Sequence, residues 1–187
     1  EFYDGKLRIA TNYNKLMCPK NIEPGIRWIH VAGRTVRPSS GGAYNDSEVN
    51  AIIEEIKRLV IDNDYKGSVG IVTPFKAQAE KINSAISKTP ELREALLKND
   101  LLVDTVHKFQ GSEREIVVFD TVDSWPQDRP GMLLVGKDSE RLINVAITRT
   151  KGKFVHINNR MFTLRNVSVK RTIHQLVQYQ TSHHQIV

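Results

Sequence analysis

Two threonines near the ends of short β-rich runs carry hydroxyls that could meet a phosphate. Thr73 ends Val69-Gly70-Ile71-Val72 and precedes Pro74, Phe75 and a helical pattern. Thr105 lies in Asp104-Thr105-Val106-His107-Lys108-Phe109-Gln110-Gly111-Ser112-Glu113, just ahead of the most hydrophobic strand pattern in the chain. A strand-end Thr offers a hydroxyl and a backbone N–H, which position a phosphodiester without reading its bases. His107 either donates to such a phosphate or packs against the sheet. Phe75 either stacks on a base or packs at its helix start. Gly111 permits close backbone approach to an anion or a left-handed turn; its plain alternative is an ordinary turn, with Glu113 a solvated carboxylate.

Several apparent sites do not survive their own chemistry. Gly131-Met132-Leu133-Leu134-Val135-Gly136-Lys137-Asp138 has the spacing of a phosphate-binding loop. Its last residue is Asp where a Ser or Thr hydroxyl is needed, and its bulky interior lacks the small residues that let amides surround an anion. Asp120, at the end of Val117-Val118-Phe119, mimics a magnesium-binding carboxylate but precedes that false loop. His183-His184 lacks convergent spacing for zinc, with no Cys or acidic cluster to join it, and is expected to be a loose tail. No metal site is expected. Cys18 is alone, so no internal disulfide forms and a reducing, intracellular setting (cytoplasm, nucleus or nucleoid) is the default expectation.

The elements that must hold these residues alternate strand with helix. Ile26–Val31 alternates at period two between Pro24-Gly25 and Gly33, a strand signature. After the turn-rich 38–43, Asp46 or Ser47 can cap a helix whose apolar stripe is Val49, Ile52, Ile53, Ile56, Leu59 and Val60. Strands are predicted at 69–72, near 101–103, at 116–119 and at 154–157. Helices are predicted from Phe75 (Ala79, Ile82, Ile86 inward), over 91–97, over 139–149 and over 169–179. Ile116-Val117-Val118-Phe119 is expected to be central. Such alternation implies a parallel α/β sheet with helices on both faces, forming one domain over residues 1–187.

With 187 residues the chain can bury one sizeable core. No apolar run reaches the ~20 residues that span a bilayer, which excludes a membrane helix. Its 27 Lys and Arg against 21 Asp and Glu leave a net charge of +6 and a pI near 9.5. A cationic surplus favours polyanion partners through counterion release. Glu1 in place of Met is expected of a processed chain or of a piece of a longer protein.

Three segments occur in a meaningful order: Val69 to Gln78, Asp104 to Glu113, and Arg141-Leu142-Ile143-Asn144-Val145-Ala146-Ile147-Thr148-Arg149-Thr150-Lys151. Together they resemble motifs IV, V and VI of superfamily 1 helicases, in the 5′→3′ branch that includes the nonsense-mediated-decay helicase. Phe2-Tyr3-Asp4-Gly5-Lys6-Leu7 resembles the stretch after that family's Gln-Tyr-Arg-Met-His-Pro motif, and Tyr44-Asn45-Asp46-Ser47-Glu48 its Asn-x-x-Glu helix start. The similarity runs from about Phe2 to Lys153.

The resemblance implies a RecA-like fold and the second motor domain of an ATP-dependent DNA or RNA helicase. It assigns Arg149 as the arginine finger, a cation brought to the γ-phosphate as its bond breaks. It implies that Gln110, Gly111 and Glu113 face ATP, Glu113 being similar to the residue that meets the ribose. Thr73, Pro74, Thr105, Val106 and His107 would line the single-stranded nucleic-acid track. Mg²⁺ would be held mainly by a first RecA-like domain carrying the phosphate-binding loop, so the isolated chain is expected to be inactive as an ATPase. The rival expectation is a non-catalytic single-strand-binding or protein-docking module with the same fold. Arg141 and Lys151 are expected to be ion pairs or surface charges.

Overall fold

The computed structural model describes residues 22–109, 113–137 and 139–183, apart from the side chains of Leu133 and His183. Gln110, Gly111 and the Phe2–Leu7 stretch therefore lie outside the described residues, as does His184.

Five strands build the sheet: β1 (Gly25–His30), β2 (Ser68–Thr73), β3 (Asp100–Thr105), β4 (Arg114–Asp120) and β5 (Thr150–Asn158). Their spatial order is β1-β5-β4-β2-β3, and every pair is parallel. β4 occupies the centre, as its unbroken apolar run predicts. Strand periodicity sorts its side chains. Ile116 and Val118 point to one face with Val69, Ile71, Val155 and Ile157, whereas Val117 and Phe119 point to the other with Phe154.

The first face is covered by α1 (Asp46–Lys57), α2 (Lys76–Ser87) and α3 (Pro90–Leu96). The stripe Val49, Ile52, Ile53 and Ile56 is buried there, and Leu59 and Val60 continue it through a π-helical turn over Arg58–Asp62. Each such side chain contributes roughly 1.5–3 kcal/mol by leaving water. The opposite face takes Leu134 of the short α4 (Met132–Val135), Leu142, Ile143 and Ala146 of α5 (Ser139–Thr148), and Ile173 and Leu176 of α7 (Thr172–His183). The short α6 (Arg160–Asn166) follows β5 and buries Phe162. The outcome is a RecA-like sheet with helices on both faces.

Three local expectations need correction. Asn45 caps α1, in place of Asp46 or Ser47: its extended φ of −140° lets the side-chain oxygen accept from the Ser47 and Glu48 amides. The closing helix starts at Thr172 and runs through His183, so that residue belongs to a helix and not to a loose tail. α4 and α6 add to the predicted helices; the four residues of α4 are too few to show a helical period.

Candidate functional site

In an all-parallel sheet every strand starts at one rim and ends at the other, so position along the chain decides which residues meet. Arg149 lies between α5 and β5, and Glu113 immediately precedes β4, which places both at the rim where strands begin. The Arg149 amide donates to Val145 O at 3.2 Å, closing α5, and its carbonyl accepts from the Arg114 amide at 2.9 Å. Its guanidinium Nη1 is 3.8 Å from Glu113 Oε1, and Lys151 Nζ is 3.3 Å from Glu113 Oε2. The Arg149 side chain is 33% exposed and that of Glu113 50%. Contact at that distance is an ion pair without a hydrogen bond, and exposed pairs contribute only about 0–1 kcal/mol. Arg149 Nε is buried with no hydrogen-bond partner among the described residues. The guanidinium is thus anchored by its backbone, weakly engaged at its tip, and free to exchange Glu113 for another anion at little cost. Lys151 is both exposed and ion-paired, and Arg141 is exposed on α5.

The other rim gathers the ends of β2 and β3. Thr73 O accepts from the Val106 amide at 3.1 Å, which joins the two segments directly. The Thr105 amide donates to Asp104 Oδ1 at 2.7 Å, and the Thr105 carbonyl accepts from the Lys108 and Phe109 amides, turning the chain. His107 is exposed and Thr105 half-buried, whereas Thr73, Pro74 and Val106 are buried. Thr73 Oγ1 has no hydrogen-bond partner among the described residues. Phe109 is fully buried against Gly70, where an added Cβ would lie 2.3 Å from the ring.

Between this rim and α1 lies a buried acidic network that the sequence did not announce. Gln78 Nε2 donates to Asp120 Oδ2 at 2.5 Å, and Gln78 Oε1 accepts from the Asn45 amide at 2.9 Å. Glu48 Oε2 accepts from the Val122 amide at 2.8 Å. Burial drives the Glu48 carboxyl well above its ordinary range, with repulsion from Asp120 adding to it. Burial also pushes Asp120 up to about 7, against the opposing polar side chains of Thr73 and Gln78. Asp123 rises to about 6 for the same reason, although the Gly131 amide and Arg37 favour its charge. The only sequence signals were Asn45-x-x-Glu48 and a strand ending in Asp.

The false phosphate loop is accounted for by its hydrogen bonds. The Gly131 amide donates to the Asp123 carboxylate, Leu134 N to Gly131 O, and Gly136 N to Met132 O. Those three amides are spent within the chain, and Leu134 is buried. Among the described residues, no group of three His, Cys, Asp or Glu side chains could hold a metal. None of their helices is long and apolar enough to cross a membrane. Among the described residues, the Arg149 rim presents two cations, Arg149 and Lys151, around the Glu113 carboxylate.

A five-stranded parallel sheet in the order given, with cations at its starting rim and strand-end threonines opposite, defines a RecA-like α/β domain. Residues 1–161 match the family described as AAA domain, and the chain belongs to that family as it occurs in superfamily 1 helicases of the nonsense-mediated-decay type. It is 30% identical over 179 residues to putative helicase mov-10-B.1 of Danio rerio, covering 84% of this chain and 17% of that protein. It is 29% identical over 119 residues to DNA polymerase alpha-associated DNA helicase A of Saccharomyces cerevisiae, covering 64% of this chain and 16% of that protein. Helicase sen1 of Schizosaccharomyces pombe is 28% identical over 166 residues, covering 85% of this chain and 9% of that protein. The chain thus spans less than a fifth of the length of these relatives.

Proposed function

We propose that this chain is the second motor domain of an ATP-driven superfamily 1 helicase, acting on single-stranded DNA or RNA. The observation that carries the reading is the partly exposed Arg149 guanidinium beside Glu113 at one rim. When bound, ATP supplies the phosphoryl transfer that powers stepping. Arg149 neutralises charge that gathers on the transferred group, while Gln110, Gly111 and Glu113 orient the nucleotide from this side. Mg²⁺ would be held mainly by the carboxylates of the first RecA-like domain, as the resemblance implies. Thr73, Pro74, Thr105, Val106 and His107 hold the single strand at the opposite rim: Thr105 and His107 reach solvent, and the buried three fix the turns that present them.

In the full-length protein, Arg149→Ala should lower ATP turnover by ~10³-fold or more, while single-strand binding persists. Near-wild-type turnover would remove the finger assignment. Glu113→Ala should mainly weaken nucleotide affinity, and an unchanged nucleotide titration would count against its contact. The isolated chain should hydrolyse ATP negligibly, because the phosphate loop and the metal ligands come from its neighbour.

A further inference from the structure

The chain has two tryptophans, treated very differently by the fold. Trp28 is 1% exposed, its indole N–H donating to Asn158 Oδ1 at 2.6 Å, whereas Trp125 is 38% exposed. That exposure does not come from a slack backbone. Trp125 O accepts from the Thr35 amide at 2.9 Å, and the Ser124 amide donates to Thr35 Oγ1 at 2.6 Å. The Ser124 hydroxyl donates to Gly33 O and accepts from Asn159 Nδ2 at 2.7 Å. Beneath the ring, fully buried Phe162 meets it edge-on, with centroids 5.3 Å apart and planes at 84°. Exposed Arg165 brings its guanidinium carbon to 5.7 Å from the indole centroid. A large flat ring is therefore held rigid, half in solvent, beside a cation.

Its place in the fold gives that arrangement a meaning. Trp125 follows β4, and Phe162 and Arg165 follow β5, so all three sit at the rim of the strand ends. Asp123, two residues earlier and so at most about 7 Å away along the chain, accepts from Arg37 at 2.7 Å. The Arg37 guanidinium lies 5.5 Å from the ring of Phe75, which follows Thr73-Pro74. A ring with a guanidinium beside it thus occurs at Phe75 as well as at Trp125, both following strand ends on one rim. Arg37 also lines an open cleft of about 550 Å³ together with Gln127, Asp128, Arg129 and Met132. Rings on which bases stack, interleaved with cations that meet phosphates, are what a single strand needs, and they tolerate any base sequence.

We propose that Trp125, backed by Phe162 and flanked by Arg165, is a base-stacking platform that prolongs the single-strand path from Thr73-Pro74-Phe75 across the ends of β4 and β5. The inference rests on the helicase reading above, to which it adds a residue and an extension of the track. The full-length protein is titrated with a fluorescein-labelled oligopyrimidine, followed by anisotropy and by tryptophan emission, as wild type, Trp125→Phe and Trp125→Ala. Thermal melting of each variant confirms that it is folded. Loss of one stacked base corresponds to about 5- to 150-fold in affinity. Trp125→Ala should weaken binding within that range, and Trp125→Phe, which keeps a ring, by less. Strand-induced quenching should be smaller in both variants than in wild type. A single abasic site stepped along the strand should find one position that costs wild type affinity and costs Trp125→Ala nothing. Wild-type affinity in a folded Trp125→Ala, with quenching unchanged in Trp125→Phe, overturns the platform alone. A wild-type protein that binds no single strand overturns the helicase reading and the platform with it.

Discussion

Replacing Asp120 by Asn should change how stability depends on pH, with a sign that follows from burial. The native carboxyl titrates at about 7 against 3.8 when exposed, so the folded state keeps its proton after the unfolded state has lost it. The stabilisation is complete below the unfolded value and declines as pH rises through the native one. Between pH 5 and pH 8 the decline covers roughly two units, or about 3 kcal/mol at ~1.4 kcal/mol per unit. Wild type alone would obscure this, because His156 works in the opposite sense. Burial holds its imidazole down at about 4, against the Gln180 bond, so its stabilisation is present above ~6.5 and is lost as pH falls. Comparing wild type with Asp120→Asn cancels the His156 contribution. Asn preserves the shape, and removal of Asp120 also relieves the repulsion on Glu48. Urea unfolding at both pH values should show the variant gaining on wild type by about 3 kcal/mol from pH 5 to pH 8. An unchanged difference at the two pH values would refute the buried, proton-holding carboxyl.

Two further substitutions test the supports of the rims. Asn45→Ala removes the cap of α1, which costs about 0.5–2 kcal/mol. Because the same side chain also faces Glu48 Oε1 at 3.3 Å and Val122 O at 3.4 Å, the loss in urea unfolding should lie at the upper end, and a neutral result would contradict the cap. Gly70→Ala drives a methyl to 2.3 Å from buried Phe109. Such overpacking costs about 1–3 kcal/mol, visible as a lower melting temperature; an unshifted melt would mean that Phe109 yields freely.

The framework was legible because its signals are periodic. The Val49–Val60 stripe and the Ile116–Phe119 run each state a burial pattern that the fold obeys, and the central position of β4 follows from strand hydrophobicity. Arg149 and Glu113 could be paired beforehand only through the ordered motifs, since 36 residues separate them and no spacing rule brings them together. Asn45 escaped notice as a cap because Asp46 and Ser47 carry equally good capping oxygens, and the choice is made by backbone angles. The Glu48–Asp120 network was hidden for a similar reason: a carboxylate on an amphipathic helix ordinarily faces water, and only tertiary contact puts it under β4. Trp125 stood in a Pro-containing turn with no periodicity to say whether its ring was inside or out.

The all-parallel sheet has a mechanical corollary. Its strands of six to nine residues make a stiff strut about 20 Å long at ~3.3 Å per residue, buried on both sides and so hard to shear. Under the proposed reading, a hinge at the phosphate end turns that strut into a lever arm. Each ten degrees of tilt would then sweep its far tip through roughly 3.5 Å, close to the ~3.4 Å rise of one base in a stacked strand. The throw of such a motor is set by how long its strands are.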